Sequence, residues 1–154
     1  VSNYREAYNI FCCSGIMFNH ESVLIPNRFV TKKIINSALN ISKGLEEKLY
    51  LGNINIYRDW GFAPEYVEAM WLILQQDKPD DFIIATGETN SLKDFIKTTF
   101  ELLDLNWEKY VVTDKNLFRP LEISTGIADI SKAFEKLNWK ATYKMKDVIK
   151  AMLI

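Results

Sequence analysis

The sequence predicts an α/β protein in which short strands and helices alternate along the chain. Residues 10–18 and 82–85 form continuous apolar runs, which are typical of strands buried on both faces of a parallel sheet. Between and after these runs, apolar residues recur every three or four positions, as they do on the buried face of a helix. Alternation of these two patterns is characteristic of the α/β class.

In the first half, residues 2–8 have the character of the last turns of a helix, so we expect the chain to be the later part of a longer protein. A helix is predicted over residues 29–45, ending near Gly44, and a short strand over residues 49–51. Another helix starts at Pro64, with a carboxylate in its first turn. Its buried stripe is expected to consist of Val67, Met70, Trp71 and Leu74.

In the second half, residues 82–85 predict another buried strand. Ser91 and Asp94 are spaced as a capping box, which predicts a helix that continues to residue 103. A short strand is expected at residues 111–112, followed by short helices over residues 131–137 and 146–153.

Composition limits the function. The chain has 154 residues, 48% of them apolar, and a net charge of −1, so it can bury an ordinary core but offers no basic stripe for a nucleic acid. No run of about 18 apolar residues predicts a membrane span. Cys12 and Cys13 are adjacent on a predicted strand and should be buried packing residues on opposite faces. They form no disulfide framework, which favours a cytoplasmic protein.

Several catalytic devices are missing from the sequence. The six glycines are scattered, so there is neither a G-x-G-x-x-G dinucleotide loop nor a P-loop. One histidine and two cysteines do not make a usual zinc site, and we expect no metal. No Ser–His–Asp arrangement can be argued from the spacing.

Two arginines stand beside rigid residues: Arg58 in Arg-Asp-Trp-Gly, and Arg119 in Phe-Arg-Pro-Leu-Glu. A guanidinium matches phosphate oxygens and stays charged, so both arginines are candidates for binding a diphosphate. The alternatives are a surface Arg–Asp pair beside a packed tryptophan and a structural loop arginine. Lys32 and Lys33 could likewise form a solvated face, and His20 could be a hydrogen-bonded loop residue.

Taken in order, several segments resemble the GDP-mannose 4,6-dehydratase family of extended short-chain dehydrogenase/reductases. The resemblance covers essentially the whole chain, and Asn-His-Glu-Ser combined with Arg-Asp-Trp-Gly is its most specific part. The matching segments are Asn3-Tyr4-Arg5-Glu6-Ala7-Tyr8, Phe18-Asn19-His20-Glu21-Ser22, Phe29-Val30-Thr31-Lys32-Lys33, Leu49-Tyr50-Leu51-Gly52-Asn53, Arg58-Asp59-Trp60-Gly61, Ile84-Ala85-Thr86-Gly87, Phe118-Arg119-Pro120-x-Glu122, Ser131-Lys132-Ala133 and Lys136-Leu137-x-Trp139.

The resemblance implies the last strands and helices of a Rossmann-type doubly wound parallel sheet, together with a small α/β substrate-binding domain. Residues 1–19 would end the NADP-binding Rossmann domain, and residues 20–61 would form a substrate-binding segment. Residues 62–90 would return to the Rossmann domain, and residues 91–154 would form the C-terminal substrate-binding domain. The parent would be an NADP-dependent lyase that converts GDP-mannose to GDP-4-keto-6-deoxymannose and water.

The family's catalytic Thr or Ser, Glu, Tyr and Lys would all lie before Val1, so no catalytic residue carries over. By resemblance, His20 would lie at the nicotinamide end of NADP, and Glu122 would accept hydrogen bonds from ribose hydroxyls. Asn19 and Lys33 would approach the sugar diphosphate, which Arg58 and Arg119 would bracket. The remaining substrate-binding positions implied by the resemblance are Val30, Leu51, Gly52 and Asn53, the last three as a turn beside the guanine.

The sequence departs from the family after Ser22. Where the family has Pro-Arg-Arg-Gly, this chain has Val23-Leu24-Ile25-Pro26. The second of those arginines normally reaches NADP and helps to join subunits, so its replacement by Ile25 favours a homodimer over a tetramer. We expect the three aliphatic residues to pack against their own subunit or a partner.

Two alternatives to this function remain open: a related GDP-sugar reductase or dehydratase, and a non-catalytic nucleotide-sugar-binding module.

Overall fold

The computed structural model describes all 154 residues and contains seven helices and eight short strands. The helices are α1 (Ser2–Tyr8), α2 (Val30–Ser42), α3 (Ala63–Leu74), α4 (Leu92–Glu101), α5 (Trp107–Tyr110), α6 (Ser131–Leu137) and α7 (Met145–Met152). The strands are β1 (Ser14–Met17), β2 (Asn19–Glu21), β3 (Leu49–Leu51), β4 (Tyr57–Arg58), β5 (Trp60–Phe62), β6 (Asp81–Ile84), β7 (Asn90–Ser91) and β8 (Val111–Thr113). A 3₁₀ turn, Lys115–Leu117, follows β8.

The strands associate in pairs, and most of the pairs are parallel. β1 lies parallel to β6, β2 to β5 and β3 to β8, whereas β4 and β7 are antiparallel. The backbone N–H of Phe18 donates to the carbonyl of Ile84 at 2.9 Å, which extends the β1–β6 pairing toward β2. Parallel neighbours need a crossover connection, and α3 packs against the β1–β6 pair. The α/β class is therefore confirmed.

Local sequence signals locate several helix ends correctly. Helix α1 stops at Asn9, which adopts a left-handed conformation with φ 48°. The capping box of α4 is complete, because the hydroxyl of Ser91 accepts from the Asp94 N–H at 3.0 Å and the Asp94 carboxylate accepts from the Ser91 N–H at 3.3 Å. Helix α6 has the predicted bounds, and α2 is followed by Gly44 at φ 70°.

The buried apolar residues form two clusters. The first cluster unites α2, β3, α4 and α7, and it includes Trp60, whose ring centroid lies 5.2 Å from that of Phe95. The second unites β6, α3, α6 and the segment after α6, with Tyr66 and Trp139 in edge-to-face contact. The predicted domain boundaries stay a prediction; in the structure, α6 packs against α3 and β6.

The prediction that residues 10–18 form a strand buried on both faces was wrong in extent and in burial. Only Ser14–Met17 is a strand, and the side chain of Ile16 is 52% exposed. The helix α3 packs against β1, and no second helix makes a comparable contact with this strand, so the side chain of Ile16 stays exposed. Cys12 and Cys13 precede the strand as free, half-buried thiols rather than fully buried ones.

The predicted buried stripe of α3 was also wrong. Val67, Met70, Trp71 and Leu74 are between 41% and 61% exposed, whereas Tyr66, Ala69 and Ile73 are buried. Both sets obey helical spacing, because α3 is apolar on nearly all sides. The contacts of α3 with β1, β6 and α6 decide which side of the helix is buried, and helical periodicity alone does not predict those contacts.

A buried carboxylate connects β5 to the loop after β6. Asp59 is 1% exposed, and its two oxygens accept hydrogen bonds from the backbone N–H groups of Thr86 at 3.0 Å and Gly87 at 2.8 Å. Gly87 has φ 77°, a conformation that glycine adopts without strain. Asp59 therefore fixes both the loop and its own segment of backbone.

A first prediction compares a buried tryptophan, Trp60 on β5, with an exposed one, Trp71 on α3. Trp60→Ala should lower the free energy of unfolding by about 3–5 kcal/mol, since it removes a large buried side chain. The same substitution at exposed Trp71 should cost about 1 kcal/mol or less. Urea denaturation followed by circular dichroism measures both changes. Equal losses in the two variants would mean that Trp71 is covered in solution.

A second prediction concerns Asp59. Asp59→Ala removes the acceptor of the buried Thr86 N–H and of the Gly87 N–H, and each hydrogen bond to a charged group contributes about 1.5–3 kcal/mol. We expect a loss of about 3 kcal/mol or more in the free energy of unfolding, and a smaller loss in Asp59→Asn, which keeps one acceptor oxygen. Asp77→Ala, at an exposed position, is the matched control. A change as small in Asp59→Ala as in the control would contradict this role.

Candidate functional site

A cleft of about 470 Å³ lies where β2, β3 and β4 approach the start of α2 and the segment of residues 117–122. Its walls contain both apolar side chains and charged groups, as ligand sites usually do. It brings together eight of the positions that the sequence singled out: Asn19, Val30, Leu51, Gly52, Asn53, Arg58, Arg119 and Glu122.

Gly52 is required by the close approach of two backbone segments. A Cβ atom at this position would lie 2.5 Å from the carbonyl oxygen of Leu117, in the 3₁₀ turn. The same segments are joined where the Asp114 N–H donates to the Leu51 carbonyl at 2.8 Å. Gly52 therefore lets the turn after β3 pack directly on the segment that leads to Arg119.

Three arginines, Arg28, Arg58 and Arg119, line the cleft. One Arg58 nitrogen donates to the Tyr57 carbonyl at 2.8 Å, and another lies 3.9 Å from a carboxylate oxygen of Glu122. Arg28 and Arg119 form no ion pair. Most of their donor capacity is free, so the arrangement can bind a ligand that carries more than one negative charge.

The segment that carries Arg119 and Glu122 is attached to β4 by its backbone. The Tyr57 N–H donates to the carbonyl of Ser124 at 2.8 Å, and the Gly126 N–H donates to the carbonyl of Tyr57 at 3.3 Å. The Thr89 hydroxyl donates to the Gly126 carbonyl at 3.2 Å. These bonds hold the segment with Arg119 and Glu122 beside Arg58, although Arg58 and Arg119 are far apart in the sequence.

The interpretation of Arg58-Asp59 as a surface ion pair was wrong. Asp59 is buried and binds backbone N–H groups, while Arg58 is partly exposed and points to the cleft. Adjacent residues of an extended chain point to opposite sides, which separates the two roles.

The start of α2 forms another wall, through Val30 and Thr31. Its N-cap residue, Phe29, provides no side-chain cap, and the first turn contains no acidic residue. The Thr31 hydroxyl instead donates to a carboxyl oxygen of Glu21 at 2.8 Å. Glu21 is 3% exposed, and burial raises the pKa of its carboxyl group above the usual range, although the bond from Thr31 and the charge of His20 oppose this change.

Nothing in the sequence pattern had singled out Glu21, Arg28 or Thr31 as lining residues. For Arg28 a signal was present, since a cation directly before the start of a predicted helix lies where anions bind. For Glu21 there was none, because an acidic residue after a predicted strand is usually exposed.

Two other candidates lie outside this cleft. The ammonium of Lys33 donates to the Tyr50 carbonyl at 2.6 Å, and Lys33 does not line the cleft. His20 lines a neighbouring cleft of about 660 Å³, which shares Asn19, Glu21, Phe29 and Arg58 with the first. His20 lies on β2 rather than in a loop, and one of its ring nitrogens is 2.8 Å from the Phe18 carbonyl oxygen.

The His20 ring also contacts Tyr66, with 5.0 Å between ring centroids. The Tyr66 hydroxyl is buried without a hydrogen-bond partner, and this burial raises the pKa of the phenol. Gly61 provides the space for the Tyr66 ring, since a Cβ atom there would overlap it.

Of the aliphatic residues that replace the family's arginines, only Ile25 packs, against the first core cluster. Val23 is 50% exposed and Leu24 is 88% exposed, so only Ile25 packs within its own subunit, and packing of the other two against a partner stays a prediction.

No group of three or more His, Cys, Asp or Glu side chains comes together in a way that could hold a metal ion. No helix is both long enough and apolar enough to cross a lipid bilayer.

Known proteins with similar sequences agree in one description. The model of the family described as GDP-mannose 4,6 dehydratase matches residues 1–152. GDP-mannose 4,6 dehydratase 1 of Arabidopsis thaliana is 49% identical over 151 residues, which cover 98% of this chain and 42% of the plant protein. The Homo sapiens GDP-mannose 4,6 dehydratase is 41% identical over 170 residues, which cover 99% of this chain and 46% of the human protein. The chain thus spans less than half the length of these relatives.

Solved structures with a similar fold have low sequence identity. RMD from Pseudomonas aeruginosa, complexed with NADPH, superimposes with a TM-score of 0.85 at 15% identity, over 98% of this chain and 49% of the other. UDP-glucuronic acid 4-epimerase from Bacillus cereus, in complex with UDP-glucuronic acid and NAD, gives a TM-score of 0.83 at 18% identity. The superposition covers 99% of this chain and 47% of the epimerase chain. These likenesses show the fold, a Rossmann-type arrangement. The match of the family model to residues 1–152 shows that the chain belongs to the GDP-mannose 4,6-dehydratase family.

Proposed function

We propose that this chain is the GDP-sugar-binding portion of a GDP-mannose 4,6-dehydratase, an NADP-dependent lyase that forms GDP-4-keto-6-deoxymannose and water from GDP-mannose. The observation that carries the proposal is the cleft with three arginines, of which Arg28 and Arg119 have no ion-pair partner. The names of the relatives at 41–49% identity support GDP-mannose as the ligand.

In this proposal each wall of the cleft binds one part of the ligand. Arg58 and Arg119 donate to the diphosphate from two sides, because planar guanidinium groups can bind two oxygens at once. The Glu122 carboxylate accepts from ribose hydroxyls. The turn Leu51-Gly52-Asn53 contacts the guanine, where Gly52 lets backbone atoms approach closely.

The cofactor fits this chain only in part. Removal of a hydride from the hexose and its return is the chemistry that NADP supplies when bound. This chain has no glycine-rich dinucleotide loop, and His20 is the one residue that we assign to the nicotinamide end. We therefore assign no step of the reaction to residues of this chain; their role is to bind and orient the nucleotide sugar.

The proposal includes a cytoplasmic homodimer. In the segment of residues 23–26, Val23 and Leu24 are exposed and apolar, and no side chain of this segment is a cation that could pair with a phosphate of NADP. This supports a dimer over a tetramer in which cofactor molecules join the subunits.

A third prediction tests the cleft. Arg58→Ala and Arg119→Ala should each weaken binding of GDP-mannose to this chain by about tenfold to a hundredfold, since a charge-assisted hydrogen bond contributes about 1.5–3 kcal/mol. Arg→Lys should restore only part of the affinity, because the planar fork is lost. Isothermal titration calorimetry measures the affinities.

Lys97→Ala is the control, because Lys97 pairs with Glu101 on the surface of α4 and does not line the cleft. Unchanged GDP-mannose affinity in both alanine variants would return the arginines to a structural role. Failure of the unsubstituted chain to bind GDP-mannose would overturn the proposed function.

A fourth prediction concerns the cofactor and the reaction. This chain should bind NADP weakly, at millimolar concentrations or not at all, and should not convert GDP-mannose. The reason is that it contains neither a nucleotide-binding loop nor a Tyr–Lys pair for hydride chemistry. Calorimetric titration with NADP and a product assay measure both properties. Measurable turnover would show that the chemistry lies within these residues.

A further inference from the structure

Glu21 occupies an unusual position, on the wall between the two neighbouring clefts. It is the last residue of β2, where it pairs with Phe62 of β5, and it lines both clefts. With 3% exposure it is the most deeply buried carboxyl group that lines either cleft. A buried carboxyl group is stable only where hydrogen bonds replace its lost water.

The hydrogen bonds of Glu21 are incomplete. One carboxyl oxygen accepts from the Thr31 hydroxyl at 2.8 Å, and the other makes no hydrogen bond to the protein. The other charged and titratable residues that line these clefts are Arg28, Arg58, Arg119, Glu122 and His20, and none of them forms an ion pair with Glu21. The second oxygen therefore has unused hydrogen-bonding capacity next to space that a ligand can occupy.

The two clefts differ in charge. The first contains all three arginines, and Arg58 is the only one that also lines the second. If the diphosphate of a nucleotide sugar binds to the arginines, its hexose would lie beside Arg58 and extend toward the second cleft. Glu21 lies at this junction, together with Asn19.

We propose that Glu21 is a specificity-determining residue for the hexose, because its free carboxyl oxygen forms a hydrogen bond with a hexose hydroxyl. The inference rests on the proposed function, since it takes the ligand to be a GDP-sugar. A carboxylate suits this role because its charge strengthens the hydrogen bond that it accepts from a hydroxyl, an advantage that a neutral amide lacks. A site built around such a bond discriminates against a sugar that lacks the hydroxyl, since its own buried group is then left unpaired.

The test compares a ligand with and without the hexose. Glu21→Gln keeps the size of the side chain and an oxygen that can accept from Thr31, but it places an amide nitrogen where the free oxygen was. We expect this variant to bind GDP-mannose about tenfold more weakly and to bind GDP within about twofold of the unsubstituted chain. Calorimetry gives both dissociation constants.

Thr31→Val is the matched control, because it removes the bond from Thr31 and leaves the free oxygen of Glu21 unchanged. This variant should change the ratio of the two dissociation constants by less than about threefold, since it acts mainly on the start of α2. GDP-sugars that lack one hexose hydroxyl each complete the test. One of them should bind the unsubstituted chain about tenfold more weakly than GDP-mannose, and Glu21→Gln should weaken it little further.

If Glu21→Gln weakens GDP and GDP-mannose equally, Glu21 only positions α2 and the inference is wrong. The inference is also wrong if neither affinity changes. In both cases the unsubstituted chain still binds GDP-mannose, so the proposed function stands. If the unsubstituted chain binds neither ligand, the proposed function fails and the inference fails with it.

Discussion

The cleft depends first on the buried carboxylate of Asp59. Its bonds to Thr86 and Gly87 hold the loop after β6 against β5, and Trp60, the next residue, packs on Phe95 in the first core cluster. Arg58 is thereby attached to a backbone that is fixed from two directions. A guanidinium on a rigid strand loses less conformational entropy on binding than one on a free loop. A structural carboxylate thus prepares the neighbouring residue for its proposed role.

The cleft combines an excess of arginines with two carboxyl groups in different environments. Glu122 is partly exposed and lies 3.9 Å from Arg58, a distance at which an ion pair contributes little to stability. A phosphate can therefore replace it as the partner of Arg58 at small cost. Glu21 is buried, has no cationic partner and keeps one oxygen free. Cations that can exchange partners suit a diphosphate, and a fixed carboxyl group suits a neutral hydroxyl.

The sequence predicted those features that depend on neighbouring residues in the chain. The capping box of Ser91 and Asp94 and the helix over residues 2–8 depend on local sequence, and both are confirmed. The buried side of α3 and the coverage of β1 depend on which elements pack beside them, and those predictions were wrong. For Lys33, helical spacing could not reveal that its ammonium donates to the carbonyl of Tyr50 on β3, a strand that packs beside α2.

The two core clusters contribute unequally to the positions of the cleft walls. The first cluster encloses α2, β3, α4 and Trp60, and these elements set the positions of Val30, Leu51 and Arg58. The second cluster adjoins exposed apolar side chains, among them Ile16 on β1 and Trp71 on α3. Apolar surface of this kind is stabilised when another surface covers it. Because most walls of the cleft rest on the first cluster, the proposed binding of GDP-mannose should depend little on what covers α3. Trp71→Ala should therefore leave that affinity unchanged, even under conditions where it alters self-association.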